Sequence, residues 1–193
     1  MSKKILIYCG SSKGNNPVYE EEVKRLAQEL KKHDCSIIFG AGSVGLMGVM
    51  ADEYLRLGGE VIGVIPSFME PWEVKHLGIQ TCHVTESMHE RKQLMAELAD
   101  GVIAMPGGFG TFDELFEMLT WKQLDLHQMP IAIFNTAGYY DLLLQQLQHM
   151  IQEGFLKERN LTALHVESDA AKLADWMMDY VPEKMEKKWI YRA

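Results

Sequence analysis

At 193 residues, 47% hydrophobic and 24% charged, the chain is long enough for one globular domain with a substantial core and cramped for two. A net charge of −8 with no dense lysine or arginine stripe repels DNA and RNA, so no nucleic-acid polymer is expected as a partner, while a small phosphorylated ligand needs only local donors. Cys9, Cys35 and Cys82 stand apart, odd in number and without a CxxC pair, which argues against a disulfide framework or structural zinc and for a reducing, cytoplasmic setting.

The N-terminus carries a basic start and an apolar run too short for a signal peptide, and glycine and serine follow at once, so residues 5–9 read as a first strand. No run approaches a membrane-spanning length, and no membrane partner is expected. Further along, residues 36–39, 61–65, 102–105 and 131–134 are continuously apolar and rich in β-branched side chains, the pattern of strands covered on both faces. Helical periodicity predicts helices over 17–33, 46–57, 88–99, 112–126 and 139–153, with another over 169–180. Such strand–helix repetition implies right-handed crossovers and an α/β fold: a single-domain, doubly wound parallel sheet of Rossmann-like type over 1–181, with helices on both faces. A charged tail over 182–193 reads as a solvated end, with Trp189 as an anchor.

In open parallel sheets ligands lie beyond the carboxyl ends of the strands. That rule nominates the loops 10–16, 40–45, 66–86 and 106–111. The loop 66–86 is long and carries Pro71, Trp72 and Glu73, as a lid or a dimer contact would.

Pro106-Gly107-Gly108-Phe109-Gly110-Thr111 leads from a strand into a helix. Three glycines let backbone amides approach a ligand, and a helix start offers unpaired N–H groups and partial positive charge, so this loop is a competent phosphate cradle. No Lys-Ser or Lys-Thr pair follows, so it is not a Walker A loop. A purely structural reading stands beside that one: Thr111-Phe112-Asp113-Glu114 fits a capping box, Thr111 as N-cap and Glu114 reaching back. Gly40-Ala41-Gly42-Ser43-Val44-Gly45 matches GxGxxG, but no acidic residue ends the next strand. A tight turn is preferred there to a dinucleotide site, with Gly42 lining a nucleotide pocket.

On the helix after Ser87, the residues Met88, Arg91, Lys92 and Met95 share one face, so two cations interrupt an apolar stripe. A guanidinium beside apolar surface needs a partner, which tilts the pair from a solvated face toward anion binding. The seven histidines lack ligand spacing and no metal is expected; Ser11 and Ser12 read as loop donors.

Met88-His89-Glu90-Arg91-Lys92 followed by Pro106-Gly107-Gly108-Phe109-Gly110-Thr111-Phe112-Asp113-Glu114 resembles the LOG ("lonely guy") family. Cys9-Gly10-Ser11-Ser12, Gly45-Leu46-Met47-Gly48, Gly63-Val64-Ile65-Pro66 and Thr120-Trp121 extend the likeness over most of the chain. Members are cytokinin riboside 5'-monophosphate phosphoribohydrolases, relatives of which were long labelled lysine decarboxylases, and they are usually homodimers, or larger assemblies of them, with the site near the subunit interface. The resemblance implies a catalytic pair, Arg91 and Glu114, acting on a nucleoside monophosphate without a cofactor. It implies substrate contacts from Glu73, Met88, Lys92, Gly107, Gly108, Phe109, Gly110, Thr111, Phe112, Asp113 and Thr120, with Ser11 and Gly42 beside them. Where the family has consecutive glycines this chain reads Gly40-Ala41-Gly42. Two other readings stand: a nucleotide or molybdenum-cofactor carrier using the same cradle without hydrolysis, and a decarboxylase, for which no motif nominates a Schiff-base lysine.

Overall fold

Side chains alternate across a strand, so strands buried on both sides must be apolar at every position and serve two cores at once. The computed structural model describes residues 2–69 and 75–182; Pro71, Trp72 and Glu73, and the tail from 183 with Trp189, lie outside the described residues. Among the described residues seven strands form one sheet: β1 (Lys4–Tyr8), β2 (Ser36–Phe39), β3 (Val61–Pro66), β4 (Thr81–Thr85), β5 (Gly101–Ala104), β6 (Ile131–Phe134) and β7 (Leu164–Glu167). Their order is β4-β3-β2-β1-β5-β6-β7 and every pairing is parallel. The helices are α1 (Val18–Lys32), α2 (Gly45–Arg56), α3 (Met88–Leu98), α4 (Phe109–Gln123), α5 (Asp141–Gln152), the single turn α6 (Glu158–Leu161) and α7 (Ala170–Asp179).

Ile5, Ile7, Ile37, Phe39 and Ile103 point to one face, where α1, α2 and α7 supply Val23, Leu26, Leu30, Met50, Leu173 and Met177. Leu6, Tyr8, Ile38, Val102 and Ala104 point to the other, against Met95, Leu115, Met118 and Leu147 from α3, α4 and α5. Each fully buried Leu, Ile or Val contributes about 1.5–3 kcal/mol, so the two layers fix strand register. The expected doubly wound sheet with helices on both faces is the one observed.

Three details differ from expectation. The loop 66–86 contains β4, and a one-turn 3-10 segment (Ser67–Met69) precedes it; Thr-Cys-His-Val-Thr has no apolar run because an edge strand is only half covered. Strand β7 is the other edge and alternates for the same reason. The helix expected from 112 starts three residues earlier, at Phe109, so the last part of the glycine loop is its first turn. Among the described residues no helix is long and apolar enough to cross a membrane.

The order of strands places a reversal between β1 and β5, since β1 leads outward to β2 on one side while β5 leads to β6 on the other. That is where an open α/β sheet leaves its ligand crevice. The Gly10 amide donates to the Pro106 carbonyl at 3.0 Å across it, and the Leu46 amide donates to Gly10 at 3.0 Å, so three of the four nominated loops meet at one spot.

In the α1–α2 layer Tyr54 is fully buried, and its hydroxyl donates to the Cys35 carbonyl at 2.5 Å. Tyr54→Phe keeps the ring and strands that carbonyl, so unfolding by urea should show a loss of about 1–2 kcal/mol; an unchanged midpoint would mean the bond contributes nothing net.

Candidate active site

Arg91 enters the sheet edge from the first turns of α3, held by a side-chain cap in which Ser87 accepts from the Glu90 amide. Its side chain points inward, only 7% of the residue remains exposed, and Nε donates to the Val64 carbonyl of β3 at 3.1 Å. A guanidinium so placed needs a flat, empty floor, and Gly40 supplies it: a Cβ there would come within 2.2 Å of Nη2. Glu114, in the second turn of α4, faces the same spot from the other side of the crevice, with Nη1 of Arg91 3.4 Å from its Oε1.

That separation is long for a charge-assisted bond, and it bears on the acid. The Glu114 side chain is 12% exposed. Burial pushes its carboxyl up to about 7; Arg91 and Lys92 pull it down and Asp113 and Glu117 push it further up. Loss of water therefore outweighs the nearby guanidinium. Tyr8 and Cys9, at the end of β1, are themselves held above their ordinary ranges, by burial first and by the Glu114 charge second. The phenol and thiol at the end of β1 are thus held neutral.

Lys92 lies one residue outward. Its Nζ stands 3.1 Å from Glu117 and 3.2 Å from Asp113, joining α3 to α4. Partial burial works against its charge, but those two hydrogen bonds win and raise its pKa.

The glycine loop divides into two kinds of glycine. A Cβ at Gly107 would lie 2.1 Å from Thr111 Oγ1 and 2.8 Å from the Gly10 amide nitrogen, so packing alone demands its absence. At Gly108 and Gly110 a Cβ would meet nothing within 4 Å, and neither has a positive φ. The folded chain makes no demand for glycine at either position, and Gly110 sits inside a helix, where it costs about 1 kcal/mol relative to alanine. Both glycines thus face open space on the Cβ side, beside a helix start whose first N–H groups have no intrahelical partner.

The capping box does not form. Gly108 is the N-cap of α4, no side chain caps that end, Thr111 is buried within the first turn, and Glu114 points to Arg91 instead of back to Thr111. The helix begins early because a glycine can take the cap position, leaving Thr111 and Glu114 one turn too deep.

Other expected site residues fall at graded distances from this centre. Met88 opens α3 and Phe109 stands 98% exposed at the head of α4. Ser11 is exposed in the loop after β1. Gly42, by contrast, is buried and bridges to Lys75, which makes it part of a wall. Thr120 is exposed on α4, bonded to its own helix at the Phe116 carbonyl; with Phe112, Asp113, Phe116 and Glu117 it lines a groove of about 440 Å³ beside the centre. Glu73 lies outside the described residues. Sequence reading missed the role of Gly40, which shows only when Arg91 is seen above it, and Tyr139 and Tyr140, which reach the loop from the segment between β6 and α5.

Residues 47–177 match the family model described as possible lysine decarboxylase. Curated relatives agree over nearly the whole chain. A cytokinin riboside 5'-monophosphate phosphoribohydrolase of Arabidopsis thaliana is 38% identical over 191 residues, covering 96% of this chain and 88% of its own. The enzyme of the same name from Oryza sativa subsp. japonica is 38% identical over 94% of this chain and 75% of its own. Among solved structures, the molybdenum cofactor carrier protein of Chlamydomonas reinhardtii (TM-score 0.68, 18% identity, 92% of this chain and 97% of that one) shares the fold. So does the molybdenum cofactor binding protein of Rippkaea orientalis (TM-score 0.71, 19% identity, 92% and 96%).

A carboxyl whose folded pKa is raised from 4.5 to about 7 contributes its full stability below pH 4.5 and loses it as pH climbs through 7. Glu114→Gln removes the titration. Its stability relative to the parent should therefore improve between pH 4.5 and 8, by at most about 3 kcal/mol. Denaturant unfolding at both pH values checks this, and a difference that stays flat would contradict the raised carboxyl.

Proposed function

The chain belongs to the LOG family, whose curated members are cytokinin riboside 5'-monophosphate phosphoribohydrolases, and from that membership we propose that it hydrolyses the N-glycosidic bond of a purine nucleoside 5'-monophosphate, an N6-substituted adenine nucleotide above all. The observation that carries the chemistry is a carboxyl poised near neutrality beside a buried guanidinium, at the mouth of an amide-lined helix start.

In this reaction the bond from ribose C1' to the purine breaks, the base leaves with the electron pair and takes up a proton, and water adds to C1'. Positive charge grows on the sugar in the transition state, so a carboxylate facing it is worth most there. We assign that role to Glu114, which also takes the proton of the attacking water; a group with a pKa near the working pH does this best. Arg91 orients the substrate by charge-assisted hydrogen bonds. The 5'-phosphate sits on the amides of Gly108, Phe109, Gly110 and Thr111, with Lys92, Thr120, Met88, Phe112 and Asp113 around the nucleotide, and Glu73 contacts it from the loop after β3. Binding a remote phosphate supplies orientation at C1'. Lys92 is a poor Schiff-base lysine, because its ion pairs raise its pKa where that chemistry needs it lowered; this counts against amino-acid decarboxylation.

The family's homodimer suits the surface. Leu124, Leu126, Leu142 and Phe155, which follow or belong to α4 and α5, are all exposed, apolar side chains that a partner subunit could cover. Buried thiols at Cys9 and Cys35 suit the reducing cytoplasm.

Chromatography of reactions with AMP, N6-isopentenyl-AMP, GMP and CMP should show free adenine-type base and ribose 5-phosphate from the first two. With the better substrate, kcat/KM should rise with pH through an acidic limb near 7, and Glu114→Gln should lose at least about a hundredfold of the rate. Binding without any base released would favour the carrier reading, and a variant as fast as the parent would reduce Glu114 to a structural role.

A further inference from the structure

Three successive carbonyls leading into the glycine loop are held from two neighbouring segments, the one after β6 and the one after β1. The Tyr140 hydroxyl donates to Met105 at 2.6 Å, the Gly10 amide to Pro106 at 3.0 Å, and the Tyr139 hydroxyl to Gly107 at 2.5 Å. A peptide is planar and trans, so each carbonyl points opposite to the N–H that follows it. Holding the Pro106 carbonyl toward β1 turns the Gly107 N–H the other way, and holding the Gly107 carbonyl toward Tyr139 turns the Gly108 N–H away from Tyr139. Between two glycines that orientation has little intrinsic preference and must be imposed from outside.

The imposing element is costly to build. After β6 the Asn135 side chain accepts from the Tyr140 amide and donates to Asp141, both at 2.8 Å. The 3-10 turn between them (Thr136–Gly138) holds Ala137 at φ 52, a left-handed conformation that costs a non-glycine residue about 1–2 kcal/mol. Tyr139 packs edge-on against Tyr140 with centroids 5.0 Å apart and against Tyr19 at 5.9 Å. Its residue is nonetheless 38% exposed. A phenylalanine would make those ring contacts equally well, so only the hydroxyl accounts for a tyrosine.

We infer that Tyr139 and Tyr140 are positioning residues that clamp the glycine loop, with Tyr139 fixing the 107–108 peptide so that its N–H joins the first-turn amides of α4 in facing an anion. The inference rests on the reading that this loop takes the 5'-phosphate. It makes a strained turn on a neighbouring strand responsible for the preference for a phosphorylated substrate.

The test is calorimetric binding of AMP and of adenosine to Glu114→Gln protein, in which turnover does not intervene, with and without Tyr139→Phe. The clamp predicts about tenfold weaker AMP binding and unchanged adenosine binding, at an unchanged melting temperature. Unchanged AMP affinity, or an equal loss for both ligands, overturns the clamp and leaves the proposed hydrolysis standing. Equal affinity for AMP and adenosine before Tyr139 is altered overturns the phosphate reading of the loop and the clamp with it. Absence of base release from the protein that retains Glu114 bears on the hydrolysis alone.

Discussion

An acid and a base, both withdrawn from water at the carboxyl edge of the sheet, neutralise each other incompletely, and the rest of the site is arranged around that imbalance. Had Glu114 and Arg91 met in a short bidentate pair, the carboxylate would lie well below its ordinary pKa and be chemically quiet. Instead the Val64 carbonyl takes Nε of Arg91 and holds it against β3, while the glycine-led start of α4 sets Glu114 back to 3.4 Å. Desolvation then decides the protonation state. A buried pair of this kind is a weak source of stability, and it persists here because three separate elements fix its geometry.

Topology supplies the place and glycine the access. The reversal between β1 and β5 opens a crevice that belongs to neither half of the sheet, and the Gly10 to Pro106 bond closes its base. The negative charge of the whole chain is no obstacle to a phosphate ligand at that point, since helix-end amides and Lys92 act within a few ångströms, inside the screening length of physiological salt.

What could be read from the sequence follows burial. Strands β1, β2, β3, β5 and β6 are covered on both faces, so they announce themselves as apolar runs; β4 and β7, at the edges, share no such pattern and were legible only as loop or connection. Arg91 was legible as a cation interrupting an apolar stripe, and the structure gives it the Val64 carbonyl and Glu114 as partners. The capping box failed because local sequence cannot say which turn a helix starts on when a glycine two or three residues earlier is free to cap it. Gly40 was legible only as a turn glycine and Tyr139 not at all: each matters through a residue more than thirty positions away, Arg91 above the one and Gly107 beside the other.

Gly40 also bears on how the chain can drift. A methyl group at that position would strike the end of Arg91 and press on the Met47 sulfur, both side chains and neither of them backbone, so the strand can keep its course while the arginine is displaced. Such a change would leave the backbone in place, yet it would evict the guanidinium from beside Glu114. Sequences that preserve every polar side chain of the crevice can therefore lose its geometry through a single residue that has no side chain.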